Sequence, residues 1–261
     1  TRDHSLGSRI RHGRMLFYRQ AYSQMDRYGL IGDMSSAALV GTDGSIDWCC
    51  LPRFDSASVF AAILGRDGGS FRIAPVHAEA KSLQSYVPGT NVLCTRFQTP
   101  TGEMSVTDFM PLGKIGASSH DAPHEIHRIV RCESGSVEVL CSFQPRLDYA
   151  RAKTGLVPFK NGVLARGRGH SVTLTADVGL ELSGDSAVAR FPLAAGQEAV
   201  FVMAYGYDRP RRVASYRSRQ QLDLTKAYWK SVAGQVTYRG LWREQVIRSF
   251  LVLQLMRYRR T

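Results

Sequence analysis

Short apolar segments broken by turn residues fill most of this chain, and a different pattern begins near its C-terminal end. Apolar stretches at 37–40, 45–51, 70–74, 86–87, 92–99 and 103–109 predict strands in the first half. Stretches at 127–133, 137–144, 162–165, 171–176, 180–182, 187–192 and 198–206 predict more in the second. The punctuation between them supports this. Gly41-Thr42-Asp43-Gly44 carries an Asp-Gly hairpin signal, Pro100-Thr101-Gly102 reads as another tight hairpin, and Gly135-Ser136 and Gly184-Asp185 read as turns. Trp48 falls at the end of a strand, followed by a Pro52-Arg53-Phe54-Asp55 loop and then a small apolar helix before Gly65. Many short strands with frequent Gly and Pro turns predict a mainly β protein, a large sandwich of two antiparallel sheets over residues 21–208.

After Pro210 turn residues thin out. Residues 213–232, with Tyr216, Leu222, Tyr228 and Trp229, predict an amphipathic helix, and 241–260 predict a second. From Phe250 onward the second helix is apolar on almost every side, the pattern of a helix inside a larger assembly. Either a further domain covers it, or it docks on the sandwich, or it pairs with a second copy through residues 241–258. The expected organisation is a basic arm over 1–20, the sandwich over 21–208 and a helical segment over 209–261.

The 44% hydrophobic and 21% charged content is that of an ordinary globular protein. No apolar run approaches the roughly 20 residues that span a bilayer, and residues 1–20 lack the apolar stretch of a signal peptide. Five cysteines, an odd number with no Cys-x-x-Cys, suggest no disulfide framework and predict reduced thiols and a cytoplasmic location. The net charge of +12 looks at first like a nucleic-acid signal. Residues 1–20 carry +4 and residues 209–261 carry +11, whereas the body between them carries −3. Basic ends without an aromatic stacking motif are a weak sign of nucleic-acid binding, which stays only as an alternative.

Several separated motifs then agree. Ile31-Gly32-Asp33, Ala37-Ala38-Leu39-Val40, Asp43-Gly44-Ser45-Ile46-Asp47-Trp48 and Leu51-Pro52-Arg53-Phe54-Asp55-Ser56 come in that order. Val106-Thr107-Asp108-Phe109-Met110-Pro111, Pro145-Arg146-Leu147-Asp148-Tyr149-Ala150 and Trp242 with Arg248-Ser249 follow. Over residues 22–258 the chain resembles the N-terminal domain of bacterial and archaeal family 15 glycoside hydrolases, the glucoamylase and trehalase group. The resemblance implies a β-sandwich, a helical linker and then a barrel of six plus six helices bearing two catalytic glutamates. Residues 241–261 look like a truncated first helix of that barrel, so no position here receives those glutamates. The implied role is an accessory domain for hydrolysis of α-glucosides such as trehalose or maltooligosaccharides, partnered by the barrel in cis or in trans. A stand-alone carbohydrate-binding or scaffold module is the other reading.

Glycoside hydrolysis needs two carboxyl groups across the scissile bond, one protonated and one ionised. Asp33, Asp43, Asp47, Asp55, Glu103, Asp108, Glu125 and Asp148 form no recognisable pair by sequence. The best site candidate is the loop around Arg53 and Asp55. Those two offer charged hydrogen bonds to sugar hydroxyls, and Trp48 and Phe54 offer faces on which a sugar ring stacks. The competing reading is an Arg53–Asp55 clamp that holds the loop, with Trp48 in the core. His120, His124 and His127 with Asp121 and Glu125 are metal-ligating types, but their spacing matches no zinc motif, and a solvated loop entering a strand accounts for them. Residues 41–47 lack the twelve-residue pattern of a calcium loop. Arg166-Gly167-Arg168-Gly169-His170 is not a phosphate-binding loop and reads as a basic β-turn. No cofactor motif and no Gly-x-Ser-x-Gly elbow is present.

Overall fold

The computed structural model describes residues 25–112, 122–151 and 153–258. Fifteen strands occur in it: β1 (Tyr28–Gly32), β2 (Ala37–Gly41), β3 (Ser45–Cys50), β4 (Ser58–Phe60), β5 (Ser70–Pro75), β6 (Lys81–Tyr86), β7 (Leu93–Thr99), β8 (Gly102–Phe109), β9 (Glu125–Gln144), β10 (Gly155–Phe159), β11 (Gly162–Gly167), β12 (His170–Ala176), β13 (Glu181–Ser183), β14 (Ser186–Ala194) and β15 (Glu198–Tyr205). Two helices follow, α1 (Ser218–Ala233) and α2 (Arg243–Met256), the first preceded by a 3-10 turn at Val213–Tyr216. The mainly β antiparallel architecture expected from the sequence is therefore present. The basic arm over 1–20 lies outside the described residues.

All the strands are linked, in an order with β9 at its centre. Residues 125–131 of β9 pair with β15, and β8 runs along the same end of the strand. Residues 136–143 pair with β14 on one side, and β5 borders the same end from Val139 onward. The strand thus belongs to two half-sheets, which close on a single core that includes Phe71 and Phe143 from one half and Phe97, Val106 and Phe201 from the other. The Phe191 and Phe201 rings, from opposite halves, lie 5.9 Å apart.

The expected turn at Gly135-Ser136 is not a turn. The chain continues through it as one twenty-residue strand. Gly135 has φ +66, and a Cβ there would come within 2.2 Å of the Thr101 carbonyl oxygen. The glycine therefore lets β9 bend and change partners, the way a strand passes from one sheet of a sandwich to the other. The small apolar helix expected after the Asp55 loop is also corrected. Ser58, Val59 and Phe60 are fully buried and form β4 against β3. A three-residue strand with both faces covered has no alternation to reveal it. Most of β6 and all of β10 escaped detection for the opposite reason: they are largely exposed edge segments, and β10 carries Pro158 at the end of the sheet.

α1 sets Leu222 against Val92, Phe109 and Ile129, and Trp229 against Met34, Leu251 and Leu255. α2 is two-faced. Leu251 and Leu255 are buried on the body, while Trp242, Val246, Leu253 and Met256 face outward, Leu253 at 69% exposure. Part of the apolar surface packs back on the sandwich and part has no cover within the described residues. None of the described helices is long and apolar enough to cross a membrane. All five cysteines are free, and burial pushes the Cys141 thiol up to about 12 and the Cys50 thiol to about 11.

At the centre sits Arg128, fully buried on β9. It donates from Nε to Asp108 Oδ1 at 2.7 Å and from Nη2 to Asp108 Oδ2 at 3.2 Å, both on its own half. It also donates from Nη1 to Phe71 O at 2.6 Å and from Nη2 to Gly44 O at 2.8 Å, both on the other half. Removing one partner of such a buried pair strands a charge, at about 3–5 kcal/mol. Arg128→Met should therefore lower unfolding free energy by roughly that amount in urea titrations. Arg128→Met with Asp108→Leu should lose clearly less than the two single losses combined.

Candidate functional site

The loop after β3 is fixed by its own hydrogen bonds. Arg53 N donates to Ser56 Oγ at 3.1 Å, Ser56 N donates to Arg53 O at 3.1 Å, and Phe54 N donates to Ser35 O at 2.9 Å. Arg53 grips Asp55 with two bonds, Nε to Oδ1 at 2.9 Å and Nη2 to Oδ2 at 3.1 Å. Both side chains nevertheless face solvent, at 45% and 72% exposure. A planar, bidentate pair at the surface is a pre-organised set of donors and acceptors as well as a clamp. Phe54 is half-buried, edge-on to Tyr258 at 6.4 Å, so the loop stands beside the end of α2.

Trp48 is not in the core. It is half-buried on β3, and its ring lies 6.2 Å from Tyr149 at 44°. Tyr149 is the residue that sequence reasoning missed. Its hydroxyl donates to Ser56 O at 3.3 Å, and the Arg151 guanidinium lies 5.0 Å from its ring centre. Asp148, Tyr149 and Ala150 have φ of 56, 56 and 59. Three successive left-handed residues without a glycine or asparagine cost of order 1–3 kcal/mol each and persist only where the surroundings hold them. Asp148 does part of that holding, bonded to Arg151 at 2.6 Å and Arg168 at 3.0 Å. No turn signal in Asp148-Tyr149-Ala150 could have revealed this conformation. The result is one surface of two aromatic rings beside charged groups from two loops.

The other sequence candidates resolve separately. Asp43 Oδ1 accepts from Ser45 N at 3.1 Å and Ser45 Oγ at 2.6 Å, the geometry of the expected hairpin turn. Residues 166–170 form the β11–β12 turn. His120 and Asp121 lie outside the described residues. His124 Nδ1 is 3.8 Å from Asp33 Oδ2. His127, fully buried, meets Glu125 Oε2 through Nε2 at 2.9 Å and Ser218 Oγ through Nδ1 at 2.9 Å. That serine–histidine–carboxylate chain resembles a hydrolase relay, but Ser218 and Glu125 are each only 6% exposed, so it serves to seat the start of α1 on β9.

The comparisons with known proteins bear on this arrangement. The trehalase-like N-terminal family matches residues 12–229. The chain belongs to that family. A trehalase from Thermoplasma volcanium is 30% identical over 246 residues, covering 93% of this chain and 39% of its own length. A trehalase from Mycolicibacterium smegmatis is 30% identical over 261 residues, covering 92% of this chain and 39% of its own length. This trehalase-like domain thus spans about two-fifths of the relatives it matches. A solved putative kojibiose phosphorylase from human microbiome overlaps 86% of this chain and 35% of its own at 8% identity and TM-score 0.41, too loose a likeness to carry weight.

The Asp148 cluster makes a pH prediction. Burial acts to raise its carboxyl pKa, but hydrogen bonds and charges from Arg151 and Arg168 outweigh it and hold the value below the usual carboxylate range. A depressed folded-state pKa adds stability above the unfolded value, near 4, and that stability disappears as pH falls through the folded one. Asp148→Asn should therefore unfold at lower temperature than the parent chain at pH 6, with the gap closing as thermal scans go below about pH 3.5.

Proposed function

We propose that this domain is the accessory N-terminal part of a glycoside hydrolase of the glucoamylase and trehalase group, acting on α-glucosides such as trehalose or maltooligosaccharides. Its partner in this reading is a catalytic barrel of paired helices, joined in cis or in trans, in the cytoplasm. Two roles follow: the outward stripe of α2 packs on a barrel helix, and the loop bearing Arg53, Phe54 and Asp55, with Trp48 and Tyr149, forms part of the substrate pocket's rim. The contact between Phe54 and Tyr258 carries the reading, because it sets the loop next to the end of α2. The partly exposed aromatic pair and bidentate charges suit sugar: ring faces stack on pyranose C–H faces, while carboxylate and guanidinium bind hydroxyls.

The outward stripe Trp242, Val246, Leu253 and Met256 also favours a second reading, pairing with another copy of the chain. Light scattering separates the two: a monomer at micromolar concentration leaves the stripe to the barrel.

A chimera tests the first. The segment of the Thermoplasma volcanium trehalase that matches this chain is replaced by this chain, and trehalose hydrolysis is followed by glucose release. An active chimera is expected. Arg53→Ala with Asp55→Ala should lower kcat/KM by about tenfold to a hundredfold, the worth of one or two charged hydrogen bonds. An active chimera indifferent to that change removes the loop from the pocket rim.

A further inference from the structure

Backbone strain singles out one ring of the candidate surface. Tyr149, with φ of 56, is the middle of three successive left-handed residues, a conformation that a residue with a Cβ keeps only where its surroundings hold it. Asp148 holds the arch through Arg151 at 2.6 Å and Arg168 at 3.0 Å. The Tyr149 hydroxyl is tied to Ser56 O at 3.3 Å, and the Arg151 guanidinium backs the ring at 5.0 Å from its centre. Yet the residue so firmly held is 38% exposed. An exposed ring contributes little to the core, so the fold has small use for the strain. A binding surface has a clear use for it, because a ring already fixed in place loses no side-chain freedom when a ligand lands on it.

The ring beside it is Trp48, with centres 6.2 Å apart and planes tilted by 44°. Two faces at that angle make a bent platform rather than a flat shelf. A β-linked glucan is a flat ribbon and meets such a platform on one ring at a time. An α-linked glucan turns from unit to unit, so neighbouring pyranose rings can lie on neighbouring aromatic faces. We propose that Trp48 and Tyr149 form a stacking platform for the interior of a linear α-glucan, holding units beyond those that reach Arg53 and Asp55. This rests on the reading of the loop surface as one that faces α-glucosides. Ser56 joins the two parts of that surface, bonding Arg53 N through its Oγ at 3.1 Å and the Tyr149 hydroxyl through its carbonyl. A chain of several units can span both parts, whereas trehalose has only two rings to offer. The platform belongs wholly to this chain, so it works without a catalytic partner.

Calorimetric titration of the 261-residue chain with maltoheptaose, cellohexaose and trehalose tests this. Maltoheptaose should bind saturably, and about tenfold or more tighter than either of the other two. Two variants separate the ring from the fold. Tyr149→Phe keeps the ring and should bind maltoheptaose as the parent does. Tyr149→Gly suits the left-handed backbone, so it should unfold no earlier than the parent in thermal scans, yet bind maltoheptaose roughly tenfold more weakly. Absence of saturable heat with maltoheptaose overturns the proposal, as does equal affinity for cellohexaose or trehalose, or parental affinity in Tyr149→Gly. The chimera's trehalose hydrolysis is a separate readout. An active chimera with no maltoheptaose binding by the chain removes the platform and leaves the accessory role. An inactive chimera with maltoheptaose binding leaves the platform and counts against that role.

Discussion

The buried guanidinium of Arg128 is the constraint on which the geometry of this domain depends. A charge with no exposure is tolerable only if its hydrogen bonds are met, and four bonds to Asp108, Phe71 and Gly44 do so. Two of those acceptors are backbone carbonyls on the half-sheet that Arg128 does not belong to. Apolar packing between two sheets is non-directional and tolerates sliding. A fork of N–H groups aimed at particular carbonyls does not, so the halves have one preferred register. Phe71 adds its ring, 4.7 Å from the guanidinium carbon. β9, bent at Gly135, supplies both the arginine and the strand that the halves share.

From that registered frame the rest is positioned by smaller links. β3 and β5, which the Gly44 and Phe71 carbonyls anchor, lead into the loop with Arg53 and Asp55 and border the end of β9 that leads to Tyr149. The helices are seated by two polar clamps rather than by apolar contact alone. His127 holds Ser218 at the start of α1, and Arg248 with Asn91 holds α2, the Asn91 amide donating to Leu251 O at 3.1 Å. The outward stripe of α2 and the aromatic and charged loop surface are thus presented in a fixed relation to each other. The proposed docking of a catalytic partner would rely on this rigidity.

Legibility in the sequence followed physical type. The Asp43-Gly44 and Pro100-Thr101-Gly102 hairpins were readable because their turns need particular residues. The two helices were readable because Leu222 and Trp229, or Leu251 and Leu255, recur at helical spacing. Gly135 misled because one residue type serves both a turn and a strand bend. β4 misled because a wholly buried three-residue strand and a short helix share an apolar pattern. At the site, Arg53, Phe54 and Asp55 could be picked out by type and adjacency, and Trp48 by its place on a strand. Tyr149 could not, since about a hundred residues separate it from Trp48 and its left-handed backbone has no local signature. Arg128 was equally hidden. Its neighbours in the sequence announce a strand, and only the paired halves reveal why a charge belongs there.

The central claim, that this domain supports a catalytic partner rather than carrying the chemistry itself, meets its most direct test in glucose release by the purified 261-residue chain. Trehalose and maltotetraose would be offered, with a boiled sample as the reference. The account predicts no release above that reference. Release by the native chain would mean that its own carboxylates form a working acid and base pair, and the claim would be wrong.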